Sequence, residues 1–190
     1  MASIGRSNRR AASAVLVVLL LIAVPGFAPG QSGGVTEGTI KAAYLYKFAG
    51  YVQWPDVAPD STEPITIGVI GANALAEELA TVTSGRKVNQ RPISVRRLEA
   101  AQTLDDVEIL FIGAQERGRL PGLLSTTSRM PILTVTELEG ALRSGSVINF
   151  VVSDQRVRFE ISLRAADSSG LKLSSRLLAV AQRVYRARPE

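Results

Sequence analysis

Side-chain parity across residues 145–163 constrains this chain more tightly than any other feature. From Arg156 onward, polar Arg156, Arg158, Glu160 and Ser162 alternate with apolar Val157, Phe159, Ile161 and Leu163. A period of two belongs to a β-strand with one buried and one polar face. The preceding run from Gly145 to Val152 is equally rich in β-branched and aromatic residues, and Ser153-Asp154-Gln155 is short and polar, so the two runs are predicted to form a β-hairpin. A two- or four-residue loop around Asp154-Gln155 sets Phe150 opposite Phe159 and Ile148 opposite Ile161, collecting the large apolar groups on one face. A three-residue loop would pair Phe150 with Arg158. That register is rejected, because a one-residue slip turns the whole apolar set outward.

The same register places Asn149 opposite Glu160 and Val151 opposite Arg158, so Asn149, Arg158 and Glu160 gather on one patch of sheet. One reading is a cross-strand Arg–Glu pair beside a satisfied amide, worth a few tenths to about 1 kcal/mol. The other is a polar contact site for a ligand or partner. Residue type alone leaves both open.

Composition removes whole classes of chemistry. The chain has no cysteine and no histidine, which excludes thiol nucleophiles, imidazole bases, Ser-His-Asp triads, disulfides and a lipoprotein attachment site. A metal would need a carboxylate-only site, and no clustered acidic loop of that kind occurs. The net charge is +5, of which Arg6, Arg9 and Arg10 supply three, leaving about +2 for the rest. That balance offers no electrostatic case for nucleic-acid binding. No cofactor is implied.

Residues 1–30 read as an address. A basic start to Arg10 precedes an unbroken apolar run from Ala14 to Val24, and Pro25 to Gly30 then breaks it with small residues. This is the order of a secretory signal peptide, cleaved near Ala28 or Gly30. The run is short of the roughly 20 apolar residues that span a bilayer. Residues 31–36 are expected to be a flexible lead-in, and 37–188 a single domain.

Thr36-Glu37 can start a helix whose apolar stripe is Ile40, Tyr44 and Phe48, with Leu45 and Val52 beside it and Lys41 and Lys47 away from its centre. Trp54-Pro55 ends that segment. Tyr44, Tyr46, Phe48, Tyr51 and Trp54 read as an aromatic staple to the sheet or as a wall of a ligand pocket. Then come a strand at 65–70 and a helix at 75–82 that Asn73 could cap. The strand–Gly71–helix turn lacks the further glycines and the Gly-Lys-Ser/Thr of nucleotide loops. A basic turn follows at 85–91, with strands at 92–98 and 107–112, a helix at 115–124, a strand at 131–135 and a helix at 137–143 capped by Thr136. A final helix, capped by Ser174-Ser175, would bear Leu177, Leu178, Ala181, Val184 and Tyr185 on one face and Arg176, Arg183, Arg186 and Arg188 on the other. Alternation of strand and helix implies parallel strands with helical crossovers. The predicted fold is therefore a three-layer α/β sandwich: a mostly parallel central sheet, helices on both faces, and the C-terminal β-hairpin toward an edge.

Several stretches resemble the YfiR family of small periplasmic proteins. They are Lys41-Ala-Ala-Tyr-Leu-Tyr-Lys-Phe48 with Val52-Gln-Trp-Pro55, Ile109-Leu-Phe-Ile112, Pro131-Ile-Leu-Thr-Val135, Val147-Ile-Asn-Phe150, Arg156-Val-Arg-Phe-Glu-Ile161 and Gly170 to Leu178. Together they span about residues 37–186 in order. The resemblance implies a non-enzymatic repressor in the periplasm. It would bind the periplasmic sensor region of an inner-membrane diguanylate cyclase and thereby control cyclic di-GMP and biofilm growth. It also implies a homodimer and a small-molecule ligand. Asn149, Arg158, Glu160, Lys172, Ser174 and Ser175 are the positions it offers for polar contact to ligand or partner. Two departures matter. Cysteine pairs found in some relatives are absent, which excludes a thiol-based input, and Ser162 stands where Asn is expected after Phe-Glu-Ile.

Two other function classes remain for comparison. One is a periplasmic sensor of small anions or nucleotides, built on Arg158 and the basic turn, with no cyclase partner. The other is an enzyme, which without His or Cys would need a Ser–Lys pair or two carboxylates. Lys172 and Ser174 are the near pair for that role, two apart on a predicted strand and so on one face.

Overall fold

The structure is a computed structural model that describes residues 36–55, 57–58, 60–99 and 103–187. The export leader expected over 1–30, and the lead-in except for Thr36, lie outside the described residues.

Helix α1 (Glu37–Phe48) starts where Thr36 accepts a hydrogen bond from the Thr39 amide, and Glu37 lies in its first turn. It stops at Phe48, six residues short of Trp54, and Val52–Gln53 becomes a two-residue strand, β1. Strand β2 (Ile65–Ile70) is buried throughout, as befits a strand covered on both faces. Helix α2 (Asn73–Thr83) follows, but Ala72 is its cap and no side chain bonds there, so the predicted Asn73 cap does not form. The basic turn is itself a hairpin, β3 (Lys87–Val88) to β4 (Arg91–Leu98). Asn89 and Gln90 turn its corner with φ of 48° and 70°.

Strand β5 (Ile109–Ile112) leads to a 3-10 turn (Ala114–Glu116) and then helix α3 (Leu120–Thr127). The single helix predicted over 115–124 is therefore split. Pro121 lies in the first turn of α3, where its missing N–H costs nothing, rather than in a helix interior. Strand β6 (Leu133–Thr136) precedes α4 (Ala141–Ser144). The predicted start of that helix at 137 fails because Gly140 is left-handed, with φ 75°. The hairpin β7 (Ile148–Ser153) and β8 (Arg156–Ser162) comes next, then α5 (Leu163–Ser168), β9 (Lys172–Leu173), α6 (Ser175–Val180) and β10 (Arg183–Tyr185).

The hairpin has the predicted register: Ile148 faces Ile161, Asn149 faces Glu160, Phe150 faces Phe159 and Val151 faces Arg158. Its loop is the two-residue form, with Asp154 and Gln155 at φ 51° and 58°. Two consecutive positive φ angles match the right-handed twist of the flanking strands.

Among the described residues the main sheet runs β10-β8-β7-β6-β5-β2-β4-β3, and β1 pairs with β9 separately. The pairs β4–β2, β2–β5, β5–β6, β6–β7 and β8–β10 are parallel, while the two hairpins are antiparallel. The predicted final helix ends at Val180, and residues 183–185 instead pair with β8. The sheet edge decides this. The outer side of β8 would otherwise carry unpaired backbone groups, and β10 covers them, with the Gln182 amide donating to the Phe159 carbonyl.

Two apolar layers flank the sheet. On one face Ile67, Phe111, Val135, Phe150 and Phe159 pack with α1, α2 and α6. On the other, Ile70, Leu110, Ile112 and Leu138 pack with Leu120 and Leu124 of α3 and Ala141 of α4. The result is a mainly parallel sheet between helices, the expected fold class. Of the five expected staple aromatics, Tyr44 and Phe48 meet the sheet's rings: Phe159 meets Phe48 and Tyr44 edge-on at 5.1 and 5.3 Å, and Phe48 stacks on Phe150 at 5.9 Å, whereas Tyr46 turns to Arg86 and the Lys87 carbonyl. Edge and offset contacts of this kind add about 0.5–1.5 kcal/mol each beyond burial.

Candidate functional site: a polar sheet edge and a buried ion-pair hub

The six sequence-derived positions fall into two groups that the fold keeps apart. Asn149, Arg158 and Glu160 share the sheet face opposite Phe150 and Phe159. Lys172, Ser174 and Ser175 belong to the α1 side, because β9 pairs with β1 and the Ser174 amide donates to the Tyr51 carbonyl. No hydrogen bond or ion pair joins the groups among the described residues.

Within the first group the roles diverge. Asn149 is 7% exposed, and its Oδ1 accepts from the Thr136 hydroxyl at 2.7 Å and the Leu138 amide at 3.1 Å. It fixes the loop after β6 and offers no surface. Glu160 is half-buried and accepts from the Tyr185 hydroxyl at 3.5 Å, while Arg183 donates to that hydroxyl at 3.0 Å. Arg158 is exposed and has no ion-pair or hydrogen-bond partner among the described residues. The cross-strand Arg–Glu bridge considered above is therefore not made. β10 and its tyrosine take up Glu160 instead, and Arg158 is left presented outward.

In the second group, Ser174 caps α6, its hydroxyl accepting from the Leu177 amide at 3.3 Å. No hydrogen bond joins Ser174 to Lys172 among the described residues, and β9 ends at Leu173, so the shared strand face the dyad needed does not form. Lys172 and Ser175 are exposed.

The basic turn also needs correction as a composite site with Arg158. The β3–β4 hairpin lies at the far end of the sheet, six strand positions from β8. At about 4.8 Å per strand that is on the order of 29 Å. Arg91, moreover, is not a solvated cation. It is 8% exposed and holds Glu108 with two bonds of 2.8 Å.

One cluster escaped the sequence reading. In an open α/β sheet the crevice beyond the carboxyl ends of strands, where the strand order reverses, is the usual binding place. Here the reversal falls at β2, between β4 and β5. Gly71 and Gly113 approach there so closely that a Cβ on Gly113 would sit 2.3 Å from the Gly71 carbonyl oxygen. Just past β6, Glu137 accepts from the Ala114 amide at 3.0 Å and from Lys41 at 2.6 Å. Lys41 also bridges Glu37 at 2.5 Å. Lys41 is 9% exposed, contrary to its predicted place away from the buried side of α1. The buried face is Lys41, Ala42, Leu45 and Phe48. Burial alone would lower the lysine's pKa. Hydrogen bonds and charge from Glu137 and Glu37 outweigh that and raise it. A lysine so held stays protonated near neutral pH and is neither nucleophile nor base. It ties α1 to the ends of β5 and β6. A signal existed: Lys41, Leu45 and Phe48 also recur at helical spacing, one position out of phase with the stripe chosen.

Among the described residues no group of three acidic residues is placed to hold a metal, and no helix is long and apolar enough to cross a membrane. The fold is a three-layer α/β domain.

Residues 38–182 match the YfiR/HmsC-like family. The chain belongs to that family. No curated protein matches it. Among solved structures it is similar to a conserved domain protein from Vibrio cholerae, with a TM-score of 0.55 at 9% identity over 78% of this chain. The chain spans 60% of that protein's length, and at such identity the likeness shows the fold alone. An ABC domain in complex with L-Trp from Streptococcus pneumonia is more distant, with a TM-score of 0.49, 10% identity and coverage of 63% of this chain and 55% of that one.

Proposed function

We propose that this protein is exported behind a leader at 1–30 and that its 37–188 domain acts in the periplasm as a repressor. It docks on the periplasmic region of an inner-membrane diguanylate cyclase, or a related sensor, and so controls cyclic di-GMP signalling. Family membership supports a periplasmic regulator of that signalling and a regulatory rather than enzymatic role. The observation that carries the docking surface is Arg158, exposed and unpaired among the described residues, on a strand where Arg156 is exposed in the same way while Glu160 and Ser162 are engaged. Arg158, with Glu160 beside it, forms the contact; Lys172 and Ser175 belong to a second surface on the α1 side, available to the second protomer of a homodimer. An acidic or carbonyl-rich segment of the receptor is the natural complement of a free guanidinium.

The test is co-purification of the tagged protein with the periplasmic region of an inner-membrane diguanylate cyclase from the same cell. Retention by wild type and loss by Arg158→Glu supports the reading, and no retention of any such receptor contradicts it. Sensing of a small anion at Arg158 without a cyclase partner is the second reading, favoured by the same unpaired guanidinium. It predicts a melting temperature that rises with one member of a nucleotide and amino-acid panel.

A further inference from the structure

We infer that the amino ends of β2, β4 and β5 form a binding site for a small organic amine. The site is separate from the sheet edge described above. A cavity of about 560 Å³ opens there on the face away from α1, with a second of about 380 Å³ behind it, and Trp54 and Arg91 line both. Volumes of this order suit small molecules.

The pocket's framework is saturated. Arg91 uses four of its N–H groups: two on Glu108, one on the Glu63 carbonyl at 2.7 Å and one on the Pro64 carbonyl at 3.1 Å. Trp54 is 9% exposed and its indole N–H donates to the Glu108 carbonyl at 3.2 Å. These groups are held rigidly and have almost nothing left to offer a ligand but an aromatic surface.

One floor group is different. Thr66 is 7% exposed and lines the cavity, yet its hydroxyl has no hydrogen-bond partner among the described residues. The hydroxyl oxygen is not sealed from the cavity's solvent, so it is free to bond an occupant. The charges decide which. Glu108 is neutralised by Arg91, and Asp106 faces Arg96 at 3.3 Å. Glu63 and Asp105, exposed at the rim of the lining, have carboxylates without an ion pair among the described residues. The lining therefore carries two uncompensated negative charges beside an indole and an open hydroxyl. An ammonium group on a short carbon skeleton meets all three: its N–H bonds go to Thr66 and the carboxylates, and its carbons to Trp54. An anion meets two repulsive charges.

Trp54 is the chain's only tryptophan, so its fluorescence reports on this site alone. The purified protein is titrated with 1,4-diaminobutane and with phenethylamine, and with inorganic phosphate as the anionic control. A saturable change in Trp54 emission with an amine and none with phosphate is expected. Glu63→Gln with Asp105→Asn, and separately Thr66→Val, each weaken it by about tenfold or more. Thr66→Ser restores it, which separates loss of the hydroxyl from damage to the fold. Arg158→Glu leaves it unchanged, so this site and the docking surface fail or stand independently. No saturable change with either amine up to about 10 mM overturns the inference. So does binding of phosphate, or amine affinity that survives the variants.

Discussion

Replacing Lys41 with methionine tests the buried hub most sharply. The substitution keeps the length of the side chain and its packing on α1 while removing the ammonium. Two interactions are lost. The one to Glu37 spans one helical turn, and Glu37 is 55% exposed, so it contributes a few tenths of a kcal/mol. The one to Glu137 is worth more. Glu137 is only 20% exposed, and without Lys41 its Oε2 loses a charged partner. Breaking a fully buried pair costs about 3–5 kcal/mol. Here residual solvent, and the Ala114 amide still bound to Oε1, reduce that to about 2 kcal/mol. In a domain of this size the melting temperature should fall by about 4–8 °C.

Urea unfolding followed by circular dichroism measures this, with the slope unchanged so that the shift reports stability. The double variant Lys41→Met with Glu137→Leu should recover at least half the loss, because no charge is left stranded. The pH dependence has a definite sign. The folded pKa of Lys41 is raised, so its contribution is fully present below the unfolded value of about 10.4 and is lost as pH rises through the folded value. The gap between wild type and Lys41→Met should hold from pH 7 to about 10 and narrow above it. A variant within about 0.5 kcal/mol of wild type, or a double variant equal to the sum of the singles, would refute the hub.

Other expectations follow from the same geometry. Phe159→Ala removes a ring 1% exposed that packs on the rings of Tyr44 and Phe48 and should destabilise by about 3–5 kcal/mol in the same unfolding experiment. Changing Asp154-Gln155 to Asn-Gly suits two consecutive positive φ angles and should stabilise by about 0.5–1 kcal/mol, read as a higher melting temperature. Ser174→Ala deletes the cap of α6 and should cost about 1 kcal/mol of unfolding free energy.

The hairpin was readable from sequence to the residue because parity is a local property and one wrong step inverts a whole face. The meeting of Tyr44 and Phe48 with Phe150 and Phe159 follows from it, since a sheet face that apolar needs a cover. β10 was hidden. Three residues of alternation sit inside a segment whose spacing also suits a helix, and only the open side of β8 decides between them. The phase of α1 was ambiguous for a related reason: stripes through Ile40 and through Lys41 differ by one position, and a lysine is not expected inside unless a carboxylate waits there. Glu137 is that carboxylate, 96 residues away. The Arg91–Glu108 clamp likewise joins the start of β4 to the residue before β5, with no local signature. As for the six candidate positions, their register was legible. Their engagement was not, because Thr136, Leu138 and Tyr185 reach them from other elements.

The most direct measurement is intracellular cyclic di-GMP in cells that lack this gene and are complemented with wild type or with Arg158→Glu, at matched periplasmic abundance. Arg158 is exposed and unpaired, so the exchange should alter stability by no more than about 0.5 kcal/mol. The account predicts that cyclic di-GMP rises on deletion, returns to its original level with wild type, and stays high with Arg158→Glu. A level that does not move on deletion, or full restoration by Arg158→Glu, would contradict it.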